Sequence, residues 1–146
     1  MFLYDKQVTF SEVPDYISYT FFVAGCPMKC KGCSWEGKYS TKTEMNLEEY
    51  KKILKSQVGF CEVICFLGGE WEVDIVEYLK IAQEMGFKTC LYSGRDSLDK
   101  KIIDHLDFVK LGSYQESKGG LMKETTNQRF INLKENKEVK FYGIYA

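Results

Sequence analysis

Short apolar runs alternating with amphipathic helical stripes predict an α/β fold with a mostly parallel sheet. Three observations carry this expectation. The stretches 16–24, 62–67, 88–92 and 107–111 are apolar almost throughout, as strands covered on both faces must be. Between the last three, apolar residues recur at helical spacing. After each of the four runs comes a Gly-containing loop, and in a parallel sheet those loops share the carboxyl edge where ligands bind.

Taken in order, "YISYTFFVA" (16–24) is aromatic and β-branched enough for a buried strand. Asn46 with Glu49 makes a capping-box start, and Leu47, Tyr50, Ile53 and Leu54 form the apolar stripe of the helix that follows. "EVICFL" (62–67) is the second strand. Ile75, Val76, Leu79 and Ala82 predict a helix over 73–85, with Gly86 as its stop. "KTCLY" (88–92) is the third strand, a helix over 96–106 is expected behind a cap at Asp96 or Ser97, and "DFVKL" (107–111) is the fourth strand. The stretches 129–133 and 138–145 read as two further strands around a "KENK" turn.

At 146 residues, without repeats or a Pro-rich linker, the chain is expected to form one domain, 1–146. Its 20 basic and 21 acidic residues are interspersed, which argues against nucleic acid or an anionic membrane as a partner. Asp5 and Lys6 stand where a leader would be apolar, and no segment has membrane-spanning length, so a cytoplasmic location is expected. In that reducing compartment the six cysteines point to metal, redox chemistry or buried thiols rather than disulfides.

Cys26, Cys30 and Cys33, in "GCPMKCKGC", follow the first strand with Cys-x3-Cys-x2-Cys spacing. Structural zinc wants four closed ligands, and the remaining candidates, His105, Cys61, Cys65 and Cys90, fall in a helical stretch and in or beside strands. Cys30 and Cys33 alone make a thioredoxin-like dithiol, but no proline follows Pro27 to supply the cis-proline that faces the dithiol in that fold. Simple packing suits Cys61, Cys65 and Cys90, which sit among strand apolars. A [4Fe-4S] cluster needs only three protein thiolates if one iron is left open for a ligand. That reading fits the tight spacing and the loop context best.

The loop resembles the signature of the radical S-adenosylmethionine (SAM) enzymes, and within them the chain is similar to the anaerobic ribonucleoside-triphosphate reductase activating proteins. The narrower likeness rests on Gly32 before the last cysteine with Trp35 close behind, on Gly68, Gly69 and Glu70 in "FLGGEW", and on Asn127, Gln128 and Arg129 in "TTNQR". An Arg-Gly pair common before the last element in that family is replaced here by "GGLMKET".

The resemblance implies an incomplete, open (β/α) barrel with Cys26, Cys30 and Cys33 holding a [4Fe-4S] cluster, and with Gly32, Ser34, Gly68, Gly69, Glu70 and Ser93 around SAM. It implies reductive cleavage of SAM to a 5′-deoxyadenosyl radical, which installs a glycyl radical on the large subunit of anaerobic ribonucleotide reductase. A one-electron donor such as flavodoxin would reduce the cluster. Other readings are a small radical SAM enzyme acting on a peptide or a different glycyl radical enzyme, and a non-enzymatic iron–sulfur electron-transfer module. Several residues have two readings. Glu70 orients SAM or caps the second helix; Ser93 with Gly94 contacts SAM or simply turns the chain; Arg95 and Lys110 bind a carboxylate or are solvated; Trp35 covers the cluster or packs its loop; Asn127, Gln128 and Arg129 dock the reductase or close the barrel.

Overall fold

The computed structural model describes residues 1–25 and 42–142. Among them are strands β1 (Phe2–Thr9), β2 (Ser18–Val23), β3 (Thr43–Glu44), β4 (Val63–Leu67), β5 (Lys88–Tyr92), β6 (Phe108–Leu111), β7 (Arg129–Asn132) and β8 (Lys137–Val139). Three helices accompany them: α1 (Leu47–Gln57), α2 (Ile75–Glu84) and α3 (Lys100–Ile103). One sheet runs in the order β3-β1-β2-β4-β5-β6-β7-β8.

The four strands expected from apolar runs, β2, β4, β5 and β6, are neighbours and parallel. The sheet as a whole is mixed rather than mostly parallel, because β1 and β3 on one side and β7 and β8 on the other pair antiparallel. Antiparallel neighbours need only a short connection. The β7–β8 turn shows how little is required: Asn132 Oδ1 accepts the Lys134 and Glu135 amides, and Asn136 takes a left-handed φ of 52°.

Alternation along the central strands divides the core. Phe21, Ile64, Phe66, Leu91 and Val109 share a cluster with Tyr50 and Leu54 of α1 and Ile75, Tyr78, Leu79 and Ala82 of α2. Tyr50 donates its buried hydroxyl to the Tyr78 carbonyl at 2.8 Å, which ties α1 to α2 without an unsatisfied phenol. On the opposite face Val63, Cys65, Cys90, Phe108 and Phe130 pack with Val13 and Phe141.

Local rules fix the helix ends. Asn46 caps α1, its Oδ1 accepting the Glu49 amide at 2.8 Å, and Gly86 at φ 92° follows α2. The helix expected over 96–106 contracts to the four residues of α3. Its cap is Asp99, not Asp96 or Ser97, because Asp99 Oδ1 accepts the Lys101 amide at 3.0 Å and starts the helix later. The strand expected over 138–145 ends at Val139, and 143–146 lie outside the described residues.

Candidate functional site

The parallel strands end in step. Phe22 pairs with Leu67, Leu67 with Tyr92, and Tyr92 with Lys110, so residues 24–25, 68–71, 93–95 and 111–113 emerge side by side from one edge. Backbone bonds stitch three of these loops: Gly68 N–H donates to the Tyr92 carbonyl at 2.8 Å, Ser93 N–H to that of Lys110 at 2.8 Å, and Gly112 N–H to that of Arg95 at 2.8 Å.

The edge needs glycine. Gly68 and Gly69 both take the left-handed backbone, with φ of 89° and 106°. A methyl at Gly68 would stand 2.6 Å from Trp71 Cη2, so the indole lies directly over that glycine. At its other end Trp71 Nε1 lies 3.5 Å from where a Cβ would sit on Gly25, the residue before Cys26. The indole therefore bridges the ends of β4 and β2.

Glu70 is almost wholly buried, its side chain 2% exposed. Its Oε1 accepts the Ser93 hydroxyl at 2.8 Å and lies 3.9 Å from Arg95 Nε, while Oε2 is buried with no hydrogen-bond partner among the described residues. Glu70 does not cap α2, whose N-cap is Asp74. Ser93 Oγ also accepts the Arg95 amide at 3.0 Å, so the Ser-Gly turn and the hold on Glu70 are one arrangement. Arg95 is half exposed beside Glu70.

Lys110 is buried rather than solvated. The alternation of β6 puts it on the face of Phe108, and its Nζ donates to the Ser93 carbonyl at 3.1 Å and the Gly112 carbonyl at 2.8 Å. Asn127 and Gln128 close against the same loop: Asn127 donates to the Ser113 carbonyl at 3.1 Å, and a Cβ on Gly112 would meet the Asn127 carbonyl oxygen and Gln128 Cα at 3.2 Å. Arg129 starts β7, 3.8 Å from Glu138.

Cys26, Cys30 and Cys33, with Gly32, Ser34 and Trp35, lie outside the described residues. Cys61, Cys65 and Cys90 are free, buried thiols. Burial, with Cys65 beside it, pushes the Cys90 thiol well above its ordinary range, which suits packing rather than thiolate chemistry. No group of three or more His, Cys, Asp or Glu side chains among the described residues gathers to hold a metal ion.

Residues 17–131 match the family described as the 4Fe-4S single cluster domain. The chain belongs to that family. No curated protein and no solved structure matches it. The match begins just before β2 and ends in β7, so it takes in the cysteine loop and every strand end of the edge. The described surroundings fit an iron–sulfur group: the β2 end that leads into Cys26 carries a left-handed Gly25, and a buried indole N–H with no partner among the described residues lies beside it. No helix among the described residues is long and apolar enough to cross a membrane.

Two features were not singled out from sequence, Trp71 at this edge and Asp107 at the opposite, amino end of the strands. For Trp71 the signal in the sequence is a tryptophan three residues after the strand-end Gly68. Asp107 heads β6, where its Oδ2 accepts the Thr89 amide at 2.8 Å and pins β5 to β6.

Proposed function

We propose that the chain is a radical SAM activating enzyme, an incomplete open (β/α) barrel that installs a glycyl radical on the large subunit of anaerobic ribonucleotide reductase. The observation that carries this reading is that Gly68, Gly69 and Glu70 lie at the strand end next to the one leading into Cys26. Cys26, Cys30 and Cys33 would hold the [4Fe-4S] cluster, which when bound supplies one electron to the SAM sulfonium and leaves an iron open to the amino and carboxylate groups of SAM.

The chain's own part is to bind and orient. The backbone at Gly68 and Gly69 offers a side-chain-free approach to the methionine moiety. Glu70 Oε2 is a buried acceptor in need of a donor, and the amino group of SAM is a fitting one. Ser93 and Arg95 hold the other carboxylate oxygen and so fix which way Oε2 points. Lys110 ties the β5 and β6 loops together, which keeps that geometry from drifting. The partner would insert its glycine loop from the open side, near Asn127, Gln128 and Arg129, and flavodoxin or a similar donor would supply the electron in the cytoplasm.

The test is product formation. Anaerobically reconstituted, reduced protein with SAM and the large reductase subunit should release methionine and 5′-deoxyadenosine and leave the glycyl-radical doublet on the subunit. Glu70→Gln should lower both together at limiting SAM. A loaded cluster that yields neither product would contradict the proposal.

A further inference from the structure

We propose that Cys65 and Cys90 are a buried redox pair, which hydrogen peroxide closes into a cross-strand disulfide between β4 and β5. The inference depends neither on the iron–sulfur cluster nor on the proposed SAM chemistry. Three observations carry it. The first is register: the two residues are direct partners in the parallel pairing of β4 and β5, and both point into the apolar layer of Val63, Phe108 and Phe130. Parallel neighbours stand about 4.8 Å apart, inside the range of about 4.4–6.8 Å spanned by the Cα atoms of disulfides.

The second is contact. Both side chains are wholly buried, and their thiols hydrogen-bond to each other. Cys61 is the contrast, because it packs on the helix-covered face with its thiol donating to Gln57 Oε1 at 3.4 Å. The third is the cover over the pair. It is built from Val13 and Tyr16, between β1 and β2, and from Phe141, beyond β8. None of these belongs to a strand or helix, so this layer opens more readily than the face packed by α1 and α2.

While the cover is closed, burial holds Cys90 protonated and the pair inert. Once it opens, one thiolate attacks the O–O bond, leaving a sulfenic acid and releasing water. The second thiol then displaces the hydroxyl from that sulfur as another water. The two thiols lose two electrons and two protons, and the peroxide becomes two waters.

The position of the pair gives the bond a consequence. Cys65 lies three residues before Gly68, and Cys90 three before Ser93. Linked Cβ atoms sit about 3.8 Å apart, closer than the strand spacing, so the disulfide draws β4 and β5 together. That happens just below the Gly68–Tyr92 backbone bond and the Glu70–Ser93 bond. A disulfide formed under such strain is readily reduced, so the change reverses.

The experiment exposes anaerobically reconstituted, full-length protein to graded hydrogen peroxide, then blocks free thiols with N-ethylmaleimide under denaturing conditions. Trypsin places Cys65 on residues 56–80 and Cys90 on 89–95. Mass spectrometry should find these peptides joined, lighter by two hydrogens than the separate thiol peptides, with Cys61 carrying the blocking group. Dithiothreitol should separate them. Cys61→Ala should keep the join and Cys90→Ala should abolish it. Recovery of Cys65 and Cys90 as blocked thiols at peroxide levels that oxidise Cys26, Cys30 and Cys33 overturns the inference, as does a join that runs through Cys61.

Discussion

Glu70 and Ser93 carry most of what is specific at the strand edge. Ser93 is the hydrogen-bond donor on the buried carboxylate, at 2.8 Å, and Arg95 the only cation paired with it among the described residues, at 3.9 Å. Ser93→Ala leaves Oε1 without its hydroxyl, so a loss of about 1–3 kcal/mol is expected in anaerobic urea unfolding. An unchanged midpoint would mean that Glu70 turns to water instead. The residue-scale reading from sequence placed Gly68 and Gly69 in the loop after the second apolar strand, where both take the left-handed backbone that glycine allows. It failed for Lys110, because a lone lysine gives no sign that the Ser93 carbonyl at the end of the neighbouring strand and the Gly112 carbonyl two residues on will accept from it. Alternation with Phe108 was the available signal.

Helix and strand boundaries were legible where a side chain closes them locally. Asn46 is the clearest case, and Asn46→Ala should cost about 1 kcal/mol, read as a lower thermal midpoint, with no change at the strand edge. No change in midpoint would show that packing of Tyr50 and Leu54 alone sets the start of α1. Elements that depend on partners were harder to read. The β1 sequence "FLYDKQVT" is exposed at half of its positions and broken by Asp5 and Lys6, so its hydrophobic pattern is weak; it becomes a strand because β2 offers it an edge. In α3 the apolar stripe is real, yet the Asp99 cap shortens the helix and leaves Ser97 and Leu98 lining a cavity of about 320 Å³ with Glu70 and Arg95. Spacing alone does not reveal which of several acidic or hydroxyl residues will cap.

Across the whole molecule, the parallel centre was readable from continuous apolar runs, and with it the gathering on one edge of three loops and the start of a fourth at Gly25. Of the antiparallel flanks, β7 and β8 were legible as two strands around the KENK turn, whereas β1 and β3 were not, since β1 is interrupted by Asp5 and Lys6 and β3 has only two residues. The core also sets a pH limit. Burial, with Asp74 and Glu72 adding to it, pushes the Tyr78 phenol up to about 12, and burial raises Tyr50 well above its ordinary value near 10. These phenols stay protonated in the folded chain while the unfolded chain ionises, so their contribution is complete below about pH 10 and is lost as pH rises toward 12. The thermal midpoint should fall between those values, and less steeply in Tyr78→Phe. A parallel fall in both proteins would place the alkaline sensitivity elsewhere.

The most direct test of the proposed function is electron paramagnetic resonance of the anaerobically reconstituted, dithionite-reduced chain with and without SAM. A [4Fe-4S]⁺ signal that changes shape when SAM is added, and that Cys30→Ala abolishes, is the expected result. A cluster signal indifferent to SAM would contradict the proposal and leave an iron–sulfur electron-transfer module in its place.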